Sequence, residues 1–316
     1  MSTWSGDATA ASPDPPDPSP NARSEAAACS EAAACSEADA CSEADAGSQA
    51  HAGPEADAEP VLRAAAAIGP YFTWEPWDGG PGWRPLRELL DAEVIAERVA
   101  VGRRVLARMS GQNPDDIGER VIASITFLGL ASRLLSPMLA AAAIGDALPV
   151  PDGERMWWRA VDGGPIPIAY RGLTATATAT AATANAGRAG RDAIAGRDAE
   201  AMAHALTRTA TRGLVAPVLE VFRRRFVLSP QVLWGNVSSA LGGAAGMIAD
   251  TLPVHAEKAA AIVEQALALP PLRGTATLTR PDPARARWFL VRRNCCLYYR
   301  IPGGGICGDC VLASKR

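Results

Sequence analysis

Residues 116–149 read DIGERVIASITFLGLASRLLSPMLAAAAIGDALP, and the spacing of their apolar residues decides the fold class. Ile117, Val121, Ile122, Ile125 and Leu128 recur at three- and four-residue steps, the period of a helix that buries a face. The pattern runs on to Leu134 and Leu135. There Pro137, which has no amide hydrogen, is expected to kink or restart the helix before residues 138–144. Asp115 or Asp116 is placed to cap its start. Upstream, Leu86, Leu89, Leu90, Val94, Ile95, Val99, Val105, Leu106 and Met109 repeat the period over 86–109. Pro85 suits that helix's first turn, and Gly111 with Pro114 ends it. Downstream, helical spacing returns at about 198–228, 231–249 and 255–269, with Pro217 and Gly242-Gly243 as weak points. Between these blocks MWWRAVDGGPIPIAY (156–170) has two short apolar runs around Asp162-Gly163-Gly164 and reads as a β-hairpin. After Pro270-Pro271, residues 275–279 and 287–291 read as short strands. The expected fold is predominantly α-helical (α+β), a helical domain with a small hairpin and a short C-terminal segment.

The charge is distributed unequally over the 316 residues. The net value of −3 combines −11 over residues 1–60, where twelve carboxylates face a single Arg23, with +8 over the remainder. Residues 272–316 supply +7 of that excess. No overall basic balance marks the chain as a nucleic-acid binder. Alanine makes up about a fifth of the chain, and the 29 arginines against 2 lysines read as a GC-rich genome rather than a function. No uninterrupted apolar run approaches the roughly 18 residues that a membrane span needs. The opening MSTWSGDATAASPDPPDP lacks both a basic start and an apolar stretch, so no secretory signal is expected and the expected location is cytoplasmic. Thiols stay reduced there, and clustered cysteines point to metal or redox chemistry.

Residues 24–59 are a degenerate hexapeptide repeat: SEAAAC, SEAAAC, SEADAC, SEADAG, SQAHAG, PEADAE. Six residues with alanine as the main apolar content cannot bury a core, so residues 1–60 are expected to form a disordered acidic tail. Cys29, Cys35, Cys41 and His51 belong to the repeat rather than to a site. Order is expected to begin near Pro60, with a mainly helical domain over 61–271. Within it TATATATAATANAGRAG (174–190) alternates like a strand but carries no large side chain, and is expected to be a flexible insertion. His204 and His255 stand singly on helical stretches. Gly242-Gly243-Ala244-Ala245-Gly246 lacks the spacing of a phosphate-cradling loop and reads as close packing, as do Trp234 and Asn236.

The chemistry is concentrated in 272–316. RRNCCLYYRIPGGGICGDC (292–310) places Cys295 and Cys296 side by side, then ten residues, then Cys307 and Cys310 two apart. Adjacent side chains on an extended strand point to opposite faces, so Cys295 and Cys296 need a bend to reach one small ion. A two-iron cluster offers a wider target and takes thiolates at irregular spacing. The spacing therefore favours iron–sulfur over a tetrahedral zinc site, with zinc and four buried apolar thiols as the competing readings. The glycines of 301–306 let the backbone approach sulfur. Arg292, Arg293, Arg300, Lys315 and Arg316 can offset cluster charge, which Asp309 opposes.

The segment resembles the C-terminal signature of ferric-siderophore reductases of the FhuF type. The stretches at 125–149, 156–170 and 233–241 are similar to further parts of that family. The resemblance implies a [2Fe–2S] cluster held by Cys295, Cys296, Cys307 and Cys310, and an oxidoreductase that passes single electrons to chelated Fe(III). Its expected partners are a ferric siderophore, of hydroxamate type, and a separate reductase or ferredoxin as electron donor, since no NAD(P)H or flavin loop is visible. Trp157, Trp158, Tyr298 and Tyr299 could flank the chelate, although aromatic residues on hairpins usually belong to the core. A non-catalytic iron–sulfur redox sensor or electron carrier, and a zinc-stabilised binding module, are the alternatives.

Overall fold

Among the described residues seven α-helices carry the architecture: α1 Glu59–Ala66, α2 Ala92–Ser110, α3 Glu119–Gly145, α4 Arg188–Leu206, α5 Ala216–Arg225, α6 Pro230–Thr251 and α7 Ala256–Ala268. The computed structural model describes residues 55–177, 188–282, 284 and 287–312. The repeat cysteines Cys29, Cys35 and Cys41, with His51, lie outside the described residues, as do 178–187 of the Thr-Ala stretch, Lys315 and Arg316. The predominantly helical class read from the spacing is the class observed.

The core is built around α3, which packs against α6, α1, α2 and α7. Ile122, Phe127, Leu134, Leu135, Met138 and Leu139 are buried, and so are Ala140 to Ala143. A helix apolar on nearly every side belongs inside a protein. Both α3 and α6 are long and apolar enough to cross a membrane by length and composition, although polar residues interrupt their apolar runs. Their apolar stretches are 78% and 72% buried within the protein.

Pro137 does not break α3. Its missing amide frees the carbonyl four residues back, that of Arg133, and Trp74 Nε1 donates to this oxygen at 3.0 Å. Tertiary packing thus supplies the hydrogen bond that the helix lacks. Trp74→Phe is expected to lower stability by about 1–3 kcal/mol, because it leaves a buried carbonyl unpaired. Pro137→Ala in the same chain should recover part of that loss by restoring the helical amide. Urea unfolding of the single and double variants measures both effects, and an equal loss in the two would reduce Trp74 to its volume.

Other boundaries also move from those expected. The helix read over 86–109 is a 3-10 turn at Leu86–Leu90 followed by α2, because Asp91 leaves the helical region and accepts from the amides of Glu93 and Val94. Gly111, at φ 64°, ends α2 as expected. Neither Asp115 nor Asp116 caps α3. Asn113 caps a 3-10 turn at Pro114–Asp116, and Gly118 precedes α3 without a side-chain cap. Between α4 and α5 a π-helical segment, Thr207–Val215, interrupts the expected continuous pattern just ahead of Pro217.

Three small sheets complete the fold. In the first, β1 Glu55–Asp57, β7 Thr174–Ala177 and β4 Ala147–Pro149 pair antiparallel in the order β1-β7-β4. This corrects two expectations: described structure starts ahead of Pro60, and the Thr-Ala run begins as a central strand rather than a flexible insertion. Ladder bonds on both edges and the burial of Ala175 supply what its small side chains cannot. The second sheet has the order β2-β6-β5-β3, from β2 Glu75–Pro76, β3 Trp83–Pro85, β5 Met156–Arg159 and β6 Ile168–Tyr170. Its β5–β6 pair is the expected hairpin, with Met156 opposite Tyr170. The third pairs β8 Ala276–Thr279 with β9 Phe289–Arg292, as the strand reading anticipated.

Candidate metal centre

Strand β9 delivers the cysteine segment to α6, and its alternation sets the docking. Leu290 and Arg292 face inward, whereas Phe289 and Val291 face out. The receiving surface of α6 consists of Gly235, Ser239, Gly242 and Gly246, at helical steps of four, three and four that align on one face. A Cβ on Gly242 would lie 2.5 Å from Leu290 Cβ, and one on Gly235 would lie 2.0 Å from Asn294 Oδ1. Near Gly246 the carbonyl of Trp288 passes at 3.8 Å from the same constructed position. Asp309 accepts a hydrogen bond from Ser239 Oγ. The small residues of 235–246 are close packing, as read from the sequence, and what they pack is the segment bearing the cysteines.

The cysteines follow this docked strand. Leu297, in the left-handed region at φ 72°, supplies the bend that an adjacent Cys pair needs. Its amide donates to Cys295 Sγ at 3.2 Å. The chain returns through Gly303 and Gly305, both at φ 73°, a conformation that glycine adopts without a Cβ clash. A tight turn then closes from the Cys310 amide to the Cys307 carbonyl at 3.2 Å, and the Leu312 amide donates to Cys310 Sγ at 3.3 Å. The Arg292 amide donates to the Asp309 carbonyl at 3.1 Å, so the two halves of the motif are tied across the ten-residue spacer.

Cys296 Sγ and Cys307 Sγ are 3.4 Å apart. Cys296 and Cys310 are 2% and 5% exposed, while Cys295 and Cys307 are half-buried. The hydrogen bond from Cys307 holds the Cys296 thiol well below its ordinary value, helped by the Tyr298 amide and the Arg292 charge. The same bond, with burial, pushes the Cys307 thiol up. Burial pushes Cys295 up, against the Leu297 amide, and Cys296 and Cys310 add to the rise. Among the described residues no group of three His, Cys, Asp or Glu side chains is gathered closely enough to hold a metal ion. The four thiols all lie on the segment from Cys295 to Cys310. As a donor set they fit an iron–sulfur group: four sulfurs on one segment, with amides directed at Cys295, Cys296 and Cys310.

A buried polar network lies under this turn. Ser124 on α3 donates to the Cys296 carbonyl at 2.8 Å. Asn236 on α6 donates to Ser124 O at 2.8 Å and to Ser124 Oγ at 3.0 Å, and its Oδ1 accepts from Arg292 Nη2 at 2.7 Å. Asn294 Oδ1 accepts from the same nitrogen at 3.1 Å, and Asn294 Nδ2 donates to the Gln231 carbonyl at 2.7 Å. Asn236 is thus a support of the cysteine turn rather than the packing residue expected from the sequence, where Ser124 was not singled out. Arg292 was visible only as one of five local cations.

The aromatic candidates separate. Trp158 is fully buried, with Arg84 and Arg98 over its ring, and Trp157 stacks on Trp77 at 4.3 Å, so both serve the four-stranded sheet. Tyr298 packs against the core, while Tyr299 is 44% exposed beside Arg300. Nothing places His204 or His255 with the cysteines. No curated protein matched the chain. Residues 292–312 match the family model described as the FhuF 2Fe-2S C-terminal domain, so over those residues the chain carries the iron–sulfur C-terminal motif of the FhuF type.

Proposed function

We propose that this protein is a cytoplasmic ferric-siderophore reductase in which Cys295, Cys296, Cys307 and Cys310 ligate a [2Fe–2S] cluster. One observation carries the reading: four thiols, two buried and two half-buried, stand on one segment that matches an iron–sulfur family model, with amides directed at three of the sulfurs. A bound cluster would supply single electrons, donated by a separate reductase or ferredoxin. The substrate is Fe(III) held by hard oxygen donors, such as hydroxamates, and one added electron gives Fe(II), which those donors hold less strongly. The chain's own groups arrange the encounter. Cys295 and Cys307 are half-buried, and Tyr299, Arg300 and Ile306 are exposed around them, so a bulky chelate can approach without a deep cleft.

The test has two stages. The full chain, reconstituted with iron and sulfide, should be brown and give a rhombic EPR signal on reduction. The reduced protein should then be reoxidised by a ferric hydroxamate, with Fe(II) trapped by a ferrous chelator in one-to-one amount. A colourless protein that binds zinc tightly would sink the cluster. A cluster that ferric chelates leave reduced would make the protein a redox sensor or electron carrier instead.

A further inference from the structure

Arg292, a guanidinium side chain, is only 1% exposed. Buried charges are ordinarily paired, because removing an ion from water without a counter-charge is strongly unfavourable. Among the described residues no carboxylate lies within ion-pairing distance of its guanidinium, and its Nε and Nη1 have no hydrogen-bond partner. Arg133 provides the contrast. It is also buried, yet it places Nε on the Ile166 carbonyl at 2.7 Å, Nη2 on the Thr73 carbonyl at 2.7 Å and Nη1 on the Pro70 carbonyl. One buried arginine is therefore satisfied by backbone, and the other is held by a single nitrogen with two left open.

The hold on Arg292 runs toward the cysteines. Nη2 is gripped by Asn236 and Asn294, Asn236 is fixed by Ser124, and Ser124 binds the Cys296 carbonyl. The arginine amide is bonded to Asp309 within the closing C-x-x-C turn. Arg293, also near the pair, and Arg300 are less enclosed, and solvent and salt screen charges of that kind.

We propose that Arg292 is the internal counter-ion of the iron–sulfur group, a positioning residue clamped by Asn236 and Ser124 so that its charge faces the thiolates. The proposal rests on the cluster reading above. A four-thiolate two-iron centre carries about −2 oxidised and −3 reduced. A fixed buried cation stabilises both states but the more negative one further, so it favours reduction.

The experiment compares the reconstituted full-length chain with Arg292→Gln, which keeps a hydrogen-bond donor without charge, and Arg292→Lys, which keeps the charge. Midpoint potentials are read by mediated titration followed in the visible and by EPR. Arg292→Gln is expected to shift the reduction equilibrium at least tenfold toward the oxidised form, about 59 mV for one electron, with Arg292→Lys shifting it less than half as far. A glutamine variant that loses the cluster while the lysine variant retains it also supports the proposal. Equal potentials in Arg292→Gln and wild type, equal shifts in the two variants, or loss of the cluster from both would overturn it. A wild-type chain that takes up no cluster would overturn the underlying reading instead.

Discussion

Single replacement of Cys295, Cys296, Cys307 or Cys310 by serine is expected to abolish the visible absorption and the reduced-state EPR signal. Serine at Cys29, Cys35 or Cys41 should leave both at wild-type intensity. The argument is chemical. Iron–sulfur clusters are held by thiolates, and the serine hydroxyl does not ionise in the range where a thiol does. The four positions share one docked segment, two of the sulfurs are 3.4 Å apart, and amides are already directed at three of them. The effect should be complete loss, with no graded series. An unaltered spectrum after any one of these four replacements would remove that residue from the ligand set. Loss at a repeat cysteine would bring the acidic tail into the site.

The second large effect concerns adjacent glycines of α6 and has opposite signs. Glycine in a helix interior is about 1 kcal/mol less favourable than alanine. At Gly243, where a new Cβ meets nothing within 4 Å, Gly243→Ala should stabilise the protein by about that amount. At Gly242 the new Cβ would lie 2.5 Å from both Cβ and Cδ1 of Leu290. Leu290 Cβ is attached to the strand backbone, so relief requires β9 itself to move. Gly242→Ala should therefore destabilise by about 1–3 kcal/mol, the range for an overpacked core, and should weaken cluster retention because β9 leads into Cys295. Urea unfolding and the absorbance-to-protein ratio after reconstitution measure the two effects. Stabilisation by both alanines would show that β9 does not dock on this stripe.

The helical class was legible because amphipathic spacing is a local property: Leu86 to Met109 and Ile117 to Leu135 carry the period in the chain itself. The hairpin around Asp162-Gly163-Gly164 and the β8–β9 pair were legible for the same reason. The boundaries were not. Pro137 reads as a break until Trp74, 59 residues from the carbonyl it satisfies, provides the missing donor. Residues 174–177 read as a featureless repeat until β1 and β4 flank them. In each case the deciding hydrogen bond comes from a distant part of the chain, where local propensity carries no information.

The candidate site divides along the same line. Four cysteines at spacings of one, eleven and three announce their chemistry without a fold, because few residue types bind metal and their clustering is rare by chance. Arg292 is one of nine cations in the last 45 residues, and in the sequence it is indistinguishable from the rest. Only tertiary structure buries it, sets it on Asn236 and Asn294, and leaves two of its nitrogens without a hydrogen-bond partner. Which side chains are able to ligate a metal is a matter of their chemistry and can be read from the letters. The environment around the ligands depends on which charges are taken out of water, and burial is settled by packing between segments far apart in the chain.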